Sequence, residues 1–200
     1  MPQSSPSVIK LKNTAIELLD TVPCTKITVA LVLEHSGIAR RTFYKYFKNM
    51  QSLWHSLSHD TIVSVEKLTG SLILSPSNSH PKSQKSNIQQ MANLSSVELS
   101  KYMSDYLLRN RNLILCLSDL DPYFLKRWKK QTASLLAESL CRNGYTPERS
   151  NRMAGFLSKG LVESCLTALR AGDRQAVEDD YMGIYDMLYV LCAYQKTLQE

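Results

Sequence analysis

Residues 27–54 read ITVALVLEHSGIARRTFYKYFKNMQSLW, and this stretch decides the fold. The Thr28 hydroxyl can accept from the open N–H groups at the start of a helix. Leu31 and Val32 give that helix an apolar face, with His35 inside or against it, and Gly37 supplies the left-handed or tight-turn position that stops it after about nine residues. A second short helix fits Arg40 to Tyr46. Phe43 and Phe47 lie four apart, so both turn inward and leave Tyr44, Lys45 and Lys48 exposed. Two short helices joined by a glycine turn form a helix-turn-helix, whose second member can enter the major groove of DNA.

The charge distribution agrees with that reading. The chain carries 24 basic and 18 acidic side chains. Residues 1–90 hold ten Lys/Arg against five Asp/Glu, whereas residues 91–200 hold fourteen against thirteen. The excess therefore belongs to the N-terminal part. Arg40, Arg41, Lys45 and Lys48 fall in a run without any acid, which attracts a polyanion. Guanidinium groups reach guanine edges or phosphate oxygens in bidentate fashion, and hydroxyls at a helix start position the backbone.

Outward from this stretch the chain reads as all-α. Val8, Leu11, Ala15, Leu18, Leu19 and Val22 recur at three- and four-residue steps after a Pro/Ser-rich tail, predicting a helix over about 7–20. Leu53, Leu57, Val65 and Leu68 sustain a longer helix beyond Asn49, widened by Trp54 and Ile62. Residues 70–90 are rich in Ser, Pro, Asn, Gln and Lys, which ends the periodicity. Four more helices are predicted at about 94–117, 122–142 opened by Asp121 and Pro122, 147–171 opened by Thr146 and Pro147 and closed by Gly172, and 174–198. The resulting division is a helix-turn-helix DNA-binding domain over 1–50, a connecting helix over 51–69, a polar loop or linker over 70–90, and a helical regulatory and dimerisation domain over 91–200.

The stretch over about residues 10–60 resembles the DNA-binding region of the tetracycline-repressor (TetR) family. It follows that family's Thr-led helix, Gly turn, T(F/L)Y..F recognition helix and F-x-N-K-x-x-L entry to helix four. The resemblance implies an all-helical dimeric regulator, often a repressor, in which a small ligand bound in the C-terminal domain changes the spacing of two reading heads. It implies that Thr28 and Tyr44 touch phosphate and that Arg40, Arg41 and Thr42 stand at the groove-facing start of the reading helix. Lys45 and Tyr46 follow onto base or backbone, and Lys48 completes the DNA-facing set. Three positions depart from the family's pattern: Ala39 where a Ser cap is common, Leu33 in place of a small Ala, and Met50 in place of a phosphate-contacting Lys.

The last two predicted helices are apolar over a wide arc. Leu157, Leu161, Cys165, Tyr181, Tyr185, Leu188 and Cys192 serve either as a homodimer interface or as central core, and periodicity alone leaves both readings open. Tyr102, Tyr106, Phe124 and Trp128 line either a cavity for a small apolar or aromatic effector or simply the core. The expected partners are a palindromic double-stranded DNA operator, a second copy of the chain and possible effector chemistry of that kind. A second reading of the body is protein recruitment without a ligand.

Other classes are excluded by what the sequence lacks. Its apolar runs are too short for a membrane span and no secretory leader opens it, so a cytoplasmic location is expected. Cys24, Cys116, Cys141, Cys165 and Cys192 are widely spaced without CxxC pairing and read as small buried hydrophobes. His35, His55, His59 and His80 lack metal-ligand spacing, so no metal and no cofactor are expected. The absence of a catalytic Ser/His/Asp order, a phosphate loop or a dinucleotide fingerprint argues against an enzyme. Operator sequence, effector identity, regulated genes and the sign of regulation are not written in the chain.

Overall fold

A computed structural model describes residues 5–74 and 96–197, and the described residues are helical throughout. The helices are α1 (Pro6–Leu18), α2 (Val29–Ser36), α3 (Arg40–Tyr46), α4 (Met50–Leu74), α5 (Ser96–Arg109), α6 (Arg111–Leu120), α7 (Phe124–Arg142), α8 (Pro147–Ala171) and α9 (Arg174–Thr197), with a single 3₁₀ turn at Cys24–Lys26. None of these helices is long and apolar enough to cross a membrane. The chain divides into two compact units: residues 1–61 with 110–124, the head, and residues 62–109 with 125–200, the body.

The head is built around the predicted stripes. Pro6 at the first turn starts α1 where a missing N–H costs nothing, and Val8, Leu11, Ala15 and Leu18 bury its inner face. That face packs on α2 and α3. Val32, Phe43 and Leu53 are fully buried beside Phe47, Trp54 and Leu57, and Phe43 and Phe47 meet with ring centroids 5.6 Å apart. Each such side chain contributes about 1.5–3 kcal/mol by leaving water. Lys12 is the exception to the apolar face: it is only 7% exposed, and its ammonium donates to Asp60 Oδ2 on α4 at 2.6 Å. A buried cation requires such a partner.

Segment 110–124 departs from the sequence reading, which placed it in the regulatory domain over 91–200. The continuous helix expected over 94–117 breaks at Asn110 (φ −100°, ψ 16°). Asparagine has weak helix propensity and tolerates such bridge-region angles. The break frees Leu113, Ile114, Cys116 and Leu117 to bury within the head. Asn112 Nδ2 donates to Asp20 Oδ1 at 3.0 Å, and Gln51 Nε2 donates to the Leu120 carbonyl at 3.1 Å. Asp121 closes α6, and its Oδ1 accepts from Tyr123 N at 3.0 Å, so α7 begins at Phe124 instead of at Pro122.

The connecting helix also runs further than expected, through residue 74 instead of 69. The rest of the expected 70–90 linker lies outside the described residues. In the body, α9 packs on α5 and α8. Thr146 accepts from Arg149 N at 3.4 Å with Pro147 in the first turn, and Gly172 adopts φ 71° at the end of α8, as the sequence predicts. Tyr145 Oη donates to the Leu191 carbonyl at 2.8 Å, and Arg174 pairs with Asp105 and Glu178.

Candidate nucleic-acid interface

Helix α2 begins where Thr28 Oγ1 accepts from Leu31 N at 3.3 Å, and it ends at Gly37 with φ 63° and ψ 15°, a left-handed conformation that a Cβ would strain. Val32 is buried. His35 is exposed instead of lying inward, with Nδ1 3.0 Å from the Leu31 carbonyl. Having accepted one bond, the Thr28 hydroxyl keeps its proton for an outside acceptor.

Helix α3 starts at Ala39 without a side-chain cap; the Ala39 carbonyl accepts from Thr42 N at 2.8 Å and Phe43 N at 3.2 Å. Arg40, Arg41, Tyr44, Lys45 and Lys48 are exposed around the buried Phe43 and Phe47. The Arg40 guanidinium lies 5.6 Å from the centroid of the Tyr44 ring, whose edge meets Phe43 at 5.4 Å. Stacking of this kind holds a guanidinium in place without neutralising it. Lys45 Nζ lies 5.4 Å from the centroid of the Tyr46 ring. The Tyr46 hydroxyl donates to Ser5 Oγ at 3.1 Å, so half-buried Tyr46 is engaged within the protein more than the sequence suggests; Thr42 is also half-buried.

Sequence reasoning missed the start of α4. Asn49 Oδ1 accepts from Ser52 N at 2.9 Å while Ser52 Oγ accepts from Asn49 N at 3.2 Å. This reciprocal cap places α4 directly after the reading helix, and its signal was the N-x-x-S spacing across the head of an apolar stripe. The cap compensates locally for Met50 standing at a position where the family's pattern has a lysine.

The body residues fall differently from the sequence expectation. Of the seven residues named for a homodimer face, Leu157, Leu161, Cys165, Tyr181 and Leu188 are buried within the chain's own core, and Tyr185 and Cys192 are half-buried. That choice is corrected by one step of register: Leu157 is 9% exposed whereas Phe156 is 79% exposed, and on α9 Met187, Tyr189, Val190 and Tyr194 face out. A wide apolar arc contains both a core side and an outer side, and the residues named sat mostly on the inner one. An apolar hollow of about 350 Å³ lies on that outer side of α9, lined by Asp186, Met187, Val190 and Leu191.

The four residues named for an effector cavity are not brought together as one lining. Tyr102 is exposed, Tyr106 is half-buried, and Phe124 and Trp128 are fully buried, with Phe124 in the head. The strongest electrostatic perturbation in the body lies elsewhere, at the α8–α9 contact. There burial pushes the Tyr181 hydroxyl and the Cys165 thiol far above their ordinary values. Desolvation also raises the Asp180 carboxyl, against the hydrogen bond it accepts from Ser164 Oγ at 2.6 Å. No group of three or more His, Cys, Asp or Glu side chains suited to a metal occurs among the described residues.

No protein-family model and no curated protein matches the chain. Solved structures do. The chain is similar to the dihydroxyacetone kinase operon activator DhaS, with a TM-score of 0.69, 13% identity, and 94% of this chain and 97% of that chain covered. It is also similar to the TetR-family repressor AlkX from Dietzia sp. strain DQ12-45-1b, implicated in biodegradation of n-alkanes (TM-score 0.53, 16% identity, 98% and 97% covered). A TetR-family transcriptional regulator from Syntrophomonas wolfei str. Goettingen aligns with a TM-score of 0.55, 11% identity, and 96% and 94% covered. The fold is the one these regulators share.

Proposed function

With the TetR fold as premise, we propose that the protein is a sequence-specific, DNA-binding transcriptional regulator that works as a homodimer on a palindromic operator. Its carrying observation is the set Arg40, Arg41, Lys45 and Lys48, exposed on and just after α3, which makes no ion pair among the described residues. Four uncompensated cations in that compass are costly to concentrate unless a polyanion meets them. Thr28 and Tyr44 supply hydroxyls for phosphate, and Arg40 and Arg41 supply the bidentate donors for base edges.

The dimer forms through the outer apolar side of α8 and α9, carried by Phe156, Tyr189, Val190 and Tyr194. It holds the two α3 helices about one DNA turn apart, or a multiple of it. Binding represses by occupying the operator, in a cytoplasmic protein without catalytic activity. A small apolar or aromatic effector relieves it by binding one head spacing better than the other, because equal affinity for both would shift nothing. The implication of AlkX in biodegradation of n-alkanes is in keeping with apolar effector chemistry.

The activator DhaS favours a second reading, recruitment of another DNA-bound factor without an effector. Footprinting the region upstream of the protein's own gene decides the main reading. A protected, roughly palindromic site at physiological salt is expected; equal affinity for scrambled DNA, with no protected site, would refute it.

A further inference from the structure

Cys24 opens the 3₁₀ turn that leads into α2, and Cys116 lies on α6. Both belong to the head. Their thiols are hydrogen-bonded neighbours, Cys116 buried and Cys24 half-exposed. A second contact runs parallel to theirs one helical turn earlier: Asn112 Nδ2 donates to Asp20 Oδ1 at 3.0 Å. Asp20 precedes Cys24 by four residues, as Asn112 precedes Cys116. The two segments are thus fixed in register at two points, and the sulfurs meet because of how the fold docks α6. Cys165 faces Asp180 and Tyr181 instead, and Cys141 is exposed.

We propose that Cys24 and Cys116 are a redox site that closes to a reversible disulfide when the protein meets a hydroperoxide, tying α6 to the segment that leads into the helix-turn-helix. The half-exposed Cys24 sulfur attacks the peroxide, breaking its O–O bond; Cys24 becomes a sulfenic acid and one water leaves. The Cys116 sulfur then displaces the hydroxyl from the Cys24 sulfur. The S–S bond forms, the S–O bond breaks, and the Cys116 proton departs with the hydroxyl as a second water. Two thiols lose two electrons and the peroxide gains them. A dithiol reductant reverses the reaction by exchange.

Burial, reinforced by Cys24 beside it, pushes the Cys116 thiol far above its ordinary value, which makes it the partner that resolves and not the one that initiates. Helix α6 stands in sequence between α5 and α7, both of the body. The disulfide would therefore hold on the head a segment that the body supplies at both ends. Transient disulfides of this kind are compatible with a reducing compartment. The chemistry rests on the thiol geometry alone and not on the operator-binding reading.

The full chain carrying Cys141→Ser, which removes the exposed thiol, is treated with equimolar hydrogen peroxide, digested with trypsin without reductant and weighed by mass spectrometry. Residues 13–26 and 112–126 are expected as a linked pair two hydrogens lighter than their sum. The pair disappears with dithiothreitol and is absent when Cys24→Ser is added, but it persists when Cys192→Ser is added. Amide exchange over 112–120 slows in the oxidised protein and is unchanged by peroxide in the Cys24→Ser form. The proposal is overturned if peroxide leaves Cys24 and Cys116 unlinked, whether Cys24 stays a thiol or stops at its sulfenic or sulfinic acid.

Discussion

In the head, α2 and α3 have eight and seven residues and stand on Val32, Phe43 and Phe47, while the basic side chains of α3 stay exposed and free of ion pairs. In the body, α8 and α9 have 25 and 24 residues, and charges there are often satisfied within the protein: Lys129 by Glu163, Arg142 by Glu138, and Arg174 by Asp105 and Glu178. Short helices are held by caps and a small core so that their outer faces are free for an outside partner. Long helices are held by extended apolar stripes, and their surface charges pair along and between helices. The contrast teaches where to look for a ligand: in the unit whose cations have no counter-charge.

The contrast breaks first at the head's base. Phe43→Ala empties a fully buried site and should cost about 3–5 kcal/mol. Urea melts followed at Trp54, in a Trp128→Phe background so that the buried head tryptophan reports alone, are expected to show the loss together with loss of DNA binding. An unchanged melt would mean that α3 does not depend on this core. On the body's outer side, Val190→Glu should weaken dimerisation by at least roughly tenfold, since a charge would be buried in an apolar contact. Sedimentation over a concentration series measures it, and an unaltered dimer would move the interface elsewhere.

The difference in legibility between the two units has the same physical source. In the head, Thr28, Gly37 and the Phe43/Phe47 pair each have one structural use, so single residues mark both ends of α2 and the inner side of α3. The Asn49–Ser52 cap was equally visible in principle. Lys12 was not, because an ion pair to a residue 48 positions away leaves no local trace. In the body, a stripe broad enough to be buried on one side and exposed on the other does not say which side is which, and Leu157 and Phe156 differ by a register that only packing fixes. The break at Asn110 escaped notice because apolar spacing runs on across it.

Smaller effects sharpen the comparison further. Thr28→Ala removes the cap of α2 and should lower head stability by about 1 kcal/mol, seen in the same Trp54 melts; a wild-type melt would mean that the cap bond contributes nothing. The least is expected at Asp180, whose folded-state pKa is raised by burial. A carboxyl raised in this way disfavours the native state once it ionises, so its cost is absent below the unfolded pKa and develops as pH rises through the folded one. Asp180→Asn should therefore melt later than the wild type near neutrality and converge with it in acid. Parallel curves at all pH values would show that Asp180 is not desolvated.

The central claim is that α3 reads sequence. Its most direct test is the ratio of affinities for the footprinted operator and a scrambled duplex, measured at one physiological salt concentration for the wild type, Arg40→Ala and Arg41→Ala. Each substitution is expected to weaken operator binding by about 1–3 kcal/mol while changing scrambled binding much less, so that the ratio collapses. Equal losses on both duplexes would make these arginines phosphate contacts and contradict a reading role for α3.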